Sequence, residues 1–305
     1  MSSVGIWQVT QNGNTEIHLS NQSSLDAITR QLPDGYYSTF RTYDDCTRVL
    51  GLKAHLRRLP EVDASSLRRQ LIPLLEPFRP DEARVRVVQT FQGQVYIAIE
   101  PLKLLPREVY EKGVRVETTT IHRDSPRIKS TAFIGASDSE RKHIARLGIF
   151  ESLLVKNGKI LEGMTSNFFF ILRPPERASG RCERSEERLL RRAQSKGASS
   201  AGLTSISSSA QREGLCTAQR DILLGVTRRN VIRAARGRGV EVRYRALELS
   251  QLAAVKEAFI TSSSRGIVPV IQIDDVRVGQ GSPGEVTRLL MSAYDEYVLS
   301  HAESI

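Results

Sequence analysis

The stretch from residue 150 to residue 172 constrains this chain most. Phe150 to Val155 and Ile160 to Leu161 are β-prone runs joined through Asn157-Gly158. That pair tolerates the positive φ angles of a two-residue hairpin, so a tight turn is predicted there. The second strand ends at Glu162, and NFFFIL (Asn167 to Leu172) follows as a strongly apolar, buried strand. Upstream, Lys129 lies in a small-residue segment just after Pro126, ahead of a helical run from Ser137 to Leu147.

The rest of the chain supplies sheets and helices around this stretch. Ile6–Val9 and Thr15–Leu19 suit a hairpin with Asn12-Gly13 at its turn. Ser24 caps a short helix that stops before Pro33. Tyr36–Tyr43, Arg48–Leu52, Ala83–Val88 and Gln94–Leu102 read as strands, and Ala64–Glu76 as an amphipathic helix. Residues 105–112 read as a link and Gly113–Thr120 opens a second sheet. Beyond Leu215 come a glycine turn and helix (Ile222–Arg236), a strand (Val240–Tyr244), a helix-like stretch (Ala246–Val255), strands Ala258–Thr261 and Val268–Ile273, and a terminal helix (Gly284–Ser300).

The predicted fold class is α/β (α+β). At 305 residues, two domains are expected: a small α+β domain over 1–112 and a larger one over 113–305. Residues 173–214 are rich in Arg, Ser, Ala and Gly and hold no aromatic residue; they read as a disordered insertion, with a short helix at 183–193.

Charge and cysteine use exclude several classes. The net charge of +10 is concentrated in the insertion, and aromatics are not interleaved with the other basic residues, so no nucleic-acid partner is expected. No apolar run reaches the ~20 residues of a membrane span. No signal peptide is evident, which makes the cytoplasm the default location. Cys46, Cys182 and Cys216 are too few and scattered for a disulfide framework or metal site.

Five features could carry chemistry, and each has a plainer alternative. A Schiff-base lysine must be neutral, and the apolar neighbours of Lys129 favour that, although most loop lysines are simply solvated. Glu162 could hold a protonated ring nitrogen or be an ordinary turn carboxylate. Arg58 could grip a phosphate bidentately or sit on a helix surface beside Arg57. Gly225, Val226 and Thr227 open a helix whose free amides favour an anion, as many helix starts do. Ser262, Ser263 and Ser264 form a polar turn that could bind phosphate or carboxylate.

Together, TFRTYDDCTRVLGLKAHLRRL, RIKSTAFI, EGMTSNFFF, LLGVTRRNVIRAA and FITSSSRGIVPVIQIDDVRVGQGSPGEVTRLL resemble the fold type IV pyridoxal phosphate enzymes, the class IV aminotransferases. These include branched-chain and D-amino acid aminotransferases and aminodeoxychorismate lyase. The resemblance implies pyridoxal 5'-phosphate in a cleft between the two domains. It implies Lys129 as the residue carrying the cofactor and Arg58 as its phosphate ligand. Glu162 would then partner the pyridine nitrogen, with Gly225, Val226, Thr227 and Ser263 around the phosphate. Arg86 and the Ser264 amide would meet the substrate carboxylate, with Arg84 on the same strand face as Arg86.

The implied activity is transfer of the amino group of a branched-chain-like amino acid to a 2-oxo acid. The lyase reaction, D-amino acid transamination and a catalytically degraded binding protein are the alternatives. The resemblance also implies a homodimer. Three positions depart from the usual pattern: Met164 stands where a small residue is common, Ile134 where an aromatic is, and Ser38 where an acid is.

Overall fold

The computed structural model describes residues 4–11, 13–60, 62–174 and 214–305. The insertion, with the helix anticipated at 183–193, lies outside the described residues except for its edges at 173, 174 and 214. Two sheets organise the molecule. Among the described residues, no helix is long and apolar enough to cross a membrane.

The first sheet has seven strands. These are β1 (Gly5–Thr10), β2 (Gly13–Glu16), β3 (Gly35–Tyr43), β4 (Arg48–Val49), β5 (Ala83–Thr90), β6 (Val95–Pro101) and β17 (Glu303–Ser304). Their order is β17-β4-β3-β5-β6-β1-β2, so the C-terminus returns onto this sheet. Alternation along the strands separates two faces. Phe40, Val85, Val87, Ile97 and Ile99 pack under helix Ala64–Leu75 through Leu67, Leu71 and Leu75. The opposite face carries Tyr37 and Val88, which pack with Leu25, Ile28 and Ile134. On that face the register pairs Thr39 with Arg86 and Arg41 with Arg84. Arg84 and Arg86 therefore point away from the leucine core by strand parity alone.

The second sheet has ten strands: β7 (Val114–Thr119), β8 (Glu151–Lys156), β9 (Lys159–Gly163), β10 (Asn167–Leu172), β11 (Leu215–Thr217), β12 (Val242–Tyr244), β13 (Leu247–Glu248), β14 (Val255–Ser262), β15 (Gly266–Ile273) and β16 (Val276–Arg277). From β10 the order runs β14-β15-β7-β8-β9, and a pairing of Asn167 with Glu162 returns it to β10. The NFFFIL strand is covered on both faces, as its unbroken apolar run requires. Phe168 and Phe170 pack with Val116, Leu153 and Ile260 inside this ring of strands. Phe169 and Ile171 pack against helices Val226–Gly237 and Glu285–His301 through Val231, Ala235, Leu290 and Tyr294.

Several expectations change. The strand read over Arg48–Leu52 covers only Arg48–Val49, and Leu52–Leu56 is a helix. Residues 107–112 form a helix rather than a plain link: Pro106 precedes its first turn, where a free N–H is not needed, and Gly113 (φ 81°) ends it. Residues 246–255 form the short β13 and a 3₁₀ segment, Leu249–Ala254, rather than an α-helix.

Candidate active site

Lys129 is held by backbone bonds to β3. Tyr37 N donates to Lys129 O (2.9 Å) and Thr131 N to Gly35 O (3.0 Å). Gly35 N in turn donates to Thr131 Oγ1 (3.0 Å). Residue 35 must be glycine, because a Cβ there would lie 2.1 Å from Gln89 O. These bonds fix the lysine backbone beside the sheet and send Nζ over the Tyr37 ring, 4.8 Å from its centroid. Burial, then the charges of Arg58, Arg86, Arg123 and Arg84, hold the Lys129 amine well below its ordinary pKa. This shift favours the neutral amine, the form that attacks a carbonyl or takes a proton.

Glu162, at the end of β9, is buried and has three donors. Arg123 Nε reaches Oε1 (3.1 Å), while Asn167 Nδ2 (3.2 Å) and Leu223 N (3.0 Å) reach Oε2. Burial raises its pKa to about 7, against the opposing pull of Arg123 and these hydrogen bonds. Arg123 is itself buried; its guanidinium lies 3.9 Å over the Phe133 ring and Nη2 donates to Met164 O. Its Nη1 is buried without a partner among the described residues. Met164 is accommodated by burial, with its N donating to Ser152 O (3.0 Å).

The third group is the start of helix Val226–Gly237. Gly225 is its N-cap and no side chain caps it, so the first amides are open to a ligand. A Cβ on Gly225 would lie 2.2 Å from Asn167 Oδ1. Gly225→Ala should therefore displace Asn167 from Glu162. Cofactor affinity should fall by roughly 10-fold and stability by about 1–3 kcal/mol, read by cofactor titration and thermal unfolding. Unchanged affinity would show that the close approach is not needed.

Arg58 approaches the same place: Nη2 donates to Leu224 O (2.8 Å). Burial lowers its pKa to about 10, so it remains charged at neutral pH. Nearby, His55 Nδ1 lies 3.0 Å from the hydroxyl of Ser38. Burial first, then the Arg58 and Lys129 charges, keep His55 well below its ordinary pKa, hence neutral. Ser263 Oγ accepts from Thr227 Oγ1 (3.4 Å), joining the serine turn to the helix start.

One cleft of about 500 Å³ is lined by Lys129, Glu162, Arg58, Gly225, Val226, Thr227, Ser263, Ser264, Arg84 and Arg86. All the residues singled out from the sequence thus meet there. Arg86 is largely engaged by protein: Nη1 binds Leu25 O (3.0 Å), Thr29 Oγ1 (2.8 Å) and Asp26 (2.8 Å), and Nε binds Thr39 Oγ1 (3.0 Å). The structure adds Arg123 and Asn167 to the site, with Glu151 behind it holding Arg265, and sequence reasoning misses all three. Arg123 sits in an irregular segment with no periodicity to mark it. Asn167 is visible in the sequence only as a strand start.

A cofactor can be tested against these groups. Open helix amides beside Arg58 suit a phosphate, Glu162 suits a protonated ring nitrogen, and the buried Lys129 amine, with its pKa lowered, suits an aldehyde. The unpartnered Arg123 Nη1 asks for a further acceptor in the cleft. The donor set fits pyridoxal phosphate.

Residues 35–273 match the family described as amino-transferase class IV. The chain belongs to the class IV aminotransferases. It is similar to the D-alanine aminotransferase of Bacillus licheniformis, 33% identical over 79 residues, 26% of this chain and 28% of that one. It is also similar to a Thermotoga maritima relative named for branched-chain amino acids, 35% identical over 83 residues, 27% of this chain and 30% of that one. The matches thus span under a third of these two relatives. A Methanocaldococcus jannaschii relative aligns over 86% of both chains at 24% identity. Among solved structures, one from Thermotoga maritima named for branched-chain amino acid transamination superposes with TM-score 0.69 at 23% identity, covering 97% of this chain and 96% of that one. A PLP-bound aminotransferase from Mycobacterium tuberculosis gives 0.69 at 18% identity, covering 97% of this chain and 99% of that one. These likenesses show the fold.

Proposed function

We propose that the cleft binds pyridoxal 5'-phosphate and that the protein is a transaminase, moving an amino group from an amino acid to a 2-oxo acid. The convergence of a buried lysine of lowered pKa, a buried carboxylate and an arginine-flanked helix start in one cleft carries this reading. The names of the relatives motivate branched-chain and D-amino acids as the first donors to assay. Residues 1–112 and 113–305 are proposed as the two domains that form the cleft walls.

When bound, the cofactor supplies an aldehyde for the amino group and a sink for the electron pair of the broken Cα–H bond. The chain's own groups do the rest. Arg58, the amides of Val226 and Thr227 and the Ser263 hydroxyl hold the phosphate. Glu162 holds the proton on the ring nitrogen, and Arg123 with Asn167 keeps that carboxylate in place. Lys129 Nζ is the base that takes and returns the α-proton. The Ser264 turn and the Arg86 wall orient the substrate carboxylate.

Arg58→Met should weaken cofactor binding by about 10- to 100-fold, the worth of a charge-assisted pair, with a smaller effect on turnover at saturating cofactor. Titration of cofactor absorbance measures this. Unaltered affinity would move the phosphate elsewhere. The function itself is tested by coupled assay of the purified protein with L-leucine or D-alanine and 2-oxoglutarate, beside aminodeoxychorismate cleavage. Amino transfer is expected, and cleavage without transfer would overturn the transaminase reading.

A further inference from the structure

The phosphate side of the cleft is built from two pieces of chain, and one distant segment touches both. Arg58 follows directly on helix Leu52–Leu56, and Val226 opens helix Val226–Gly237. Helix Glu285–His301 shares a core with the latter, through Leu290 and Tyr294 beside Val231 and Ala235. Just beyond it, β17 pairs with β4, with Glu303 opposite Val49 and Ser304 opposite Arg48. The segment is pinned there. Ile305 N donates to Thr47 O (2.9 Å), Arg48 Nη2 donates to Ala302 O, and Ile305 packs against the leucine core of the first sheet.

Helix Leu52–Leu56 needs an acceptor at its start that its own sequence does not give. Gly51 precedes it with φ 69° and ψ 43°, a left-handed conformation that L side chains rarely adopt. A Cβ there would also lie 3.3 Å from Val226 Cγ1. Residue 51 is therefore glycine, which has no side chain to cap the exposed amides. Glu303 fills that role from 251 residues away: its Oε1 accepts from Leu52 N (2.9 Å). Its Oε2 accepts from Arg68 Nη2 of helix Ala64–Leu75, which fixes the carboxylate in place.

What this cap holds is the phosphate arginine. From Gly51 to Leu59 the chain is a run of tight turns. Ala54 N (2.9 Å) and His55 N (3.2 Å) donate to Gly51 O, Arg57 N to Lys53 O (3.2 Å) and Leu59 N to Leu56 O (2.8 Å). Such a unit moves as one body, so a shift at Leu52 carries through to Arg58. Arg58 in turn reaches Leu224 O through Nη2 (2.8 Å), just ahead of Val226. Glu303 at Leu52 and Val226 at Gly51 thus set the spacing between the guanidinium and the helix amides. A phosphate held by both at once depends on that spacing, because charge-assisted hydrogen bonds are short and directional.

We propose that Glu303 is a positioning residue for the cofactor phosphate. It sets the helix that leads to Arg58 against the Val226 amides, and so raises phosphate affinity without touching the ligand. This rests on the reading of the cleft as a pyridoxal phosphate site, and the two fail in different ways.

Pyridoxal differs from pyridoxal 5'-phosphate only in lacking the phosphate. Absorbance titration of cofactor-free protein should show the phosphorylated form binding at least about 100-fold tighter. Glu303→Ala should cut that preference about 3- to 10-fold, the worth of one helix cap, with pyridoxal affinity unchanged. Glu303→Gln keeps an oxygen for Leu52 N and loses the charge held by Arg68, and should stay within about twofold of the wild type. An undiminished preference in Glu303→Ala would overturn the proposal. So would an equal loss for both compounds, which a merely less stable fold would give. A loss in Glu303→Gln as large as in Glu303→Ala would assign the effect to the ion pair and overturn it too. Should Glu303→Ala fail to fold, Glu303→Asp, one methylene short of Leu52 N, should show the phosphate-specific loss, and its absence overturns the proposal equally. Wild-type protein that binds neither compound would defeat the cofactor reading and the proposal together. A normal wild-type preference that Glu303→Ala leaves intact would defeat the proposal alone.

Discussion

Lys129→Ala should lower amino transfer by at least about 10⁴-fold, since it removes both the attachment point and the base. Lys103, the cleft's other lysine, is exposed just past the end of β6 and lacks the burial of Lys129. A stability measurement gives a second, independent reading. The Lys129 pKa in the folded, cofactor-free protein is well below its unfolded value of about 10.5. Across that window the unfolded chain binds more protons, so stability rises with pH, and at neutral pH the lysine is a cost. Lys129→Met should therefore raise the unfolding midpoint of cofactor-free protein at pH 7, with the gain shrinking as pH approaches about 10.5. A wild-type rate in Lys129→Ala, or a destabilised Lys129→Met, would contradict this assignment.

Glu162→Gln is the second large effect. A glutamine holds no proton on the ring nitrogen, so kcat should fall by roughly 10²- to 10⁴-fold. The substitution also replaces the carboxylate beside Arg123 with a neutral amide, so fold and activity must be read separately. The pH dependence does that. In the cofactor-free protein the carboxyl pKa is about 7 against an ordinary 4.5. Between those values the folded state holds the extra proton, so the Glu162 contribution to stability is largest below about 4.5 and is lost as pH rises through 7. The stability of wild type relative to Glu162→Gln should thus fall from pH 5 to pH 8. Cofactor affinity should run the opposite way in the wild type, falling as pH drops below about 7 and the carboxylate protonates. A pH-independent affinity over this range would place the ring nitrogen elsewhere.

Local chemistry explains which features were legible in the sequence. Asn157-Gly158 dictated its hairpin, with φ 51° and 70° at the turn. Ser24 caps its helix by accepting from Ala27 N (3.1 Å). The strand alternation of residues 83–88 put Arg84 and Arg86 on the face opposite Val85 and Val87. What escaped depends on distant chain. Arg123 matters only because the segment before Lys129 folds across Glu162, and no local pattern encodes that. Arg265 gains meaning from Glu151, 114 residues away. The closing of the second sheet rests on a single pairing, Asn167 with Glu162, which no periodicity reports. The Leu249–Ala254 stretch misled because its leucines suit a helix, while the backbone is held by Leu249 N donating to Gly158 O (2.9 Å) across the hairpin turn.

We propose that this cleft holds pyridoxal phosphate at Lys129. Borohydride reduction of the cofactor-loaded protein, followed by peptide mass mapping, tests it most directly. A single pyridoxyl group on the peptide containing Lys129 is the expected result. Label on any other lysine, or a protein that takes up no cofactor, would contradict it.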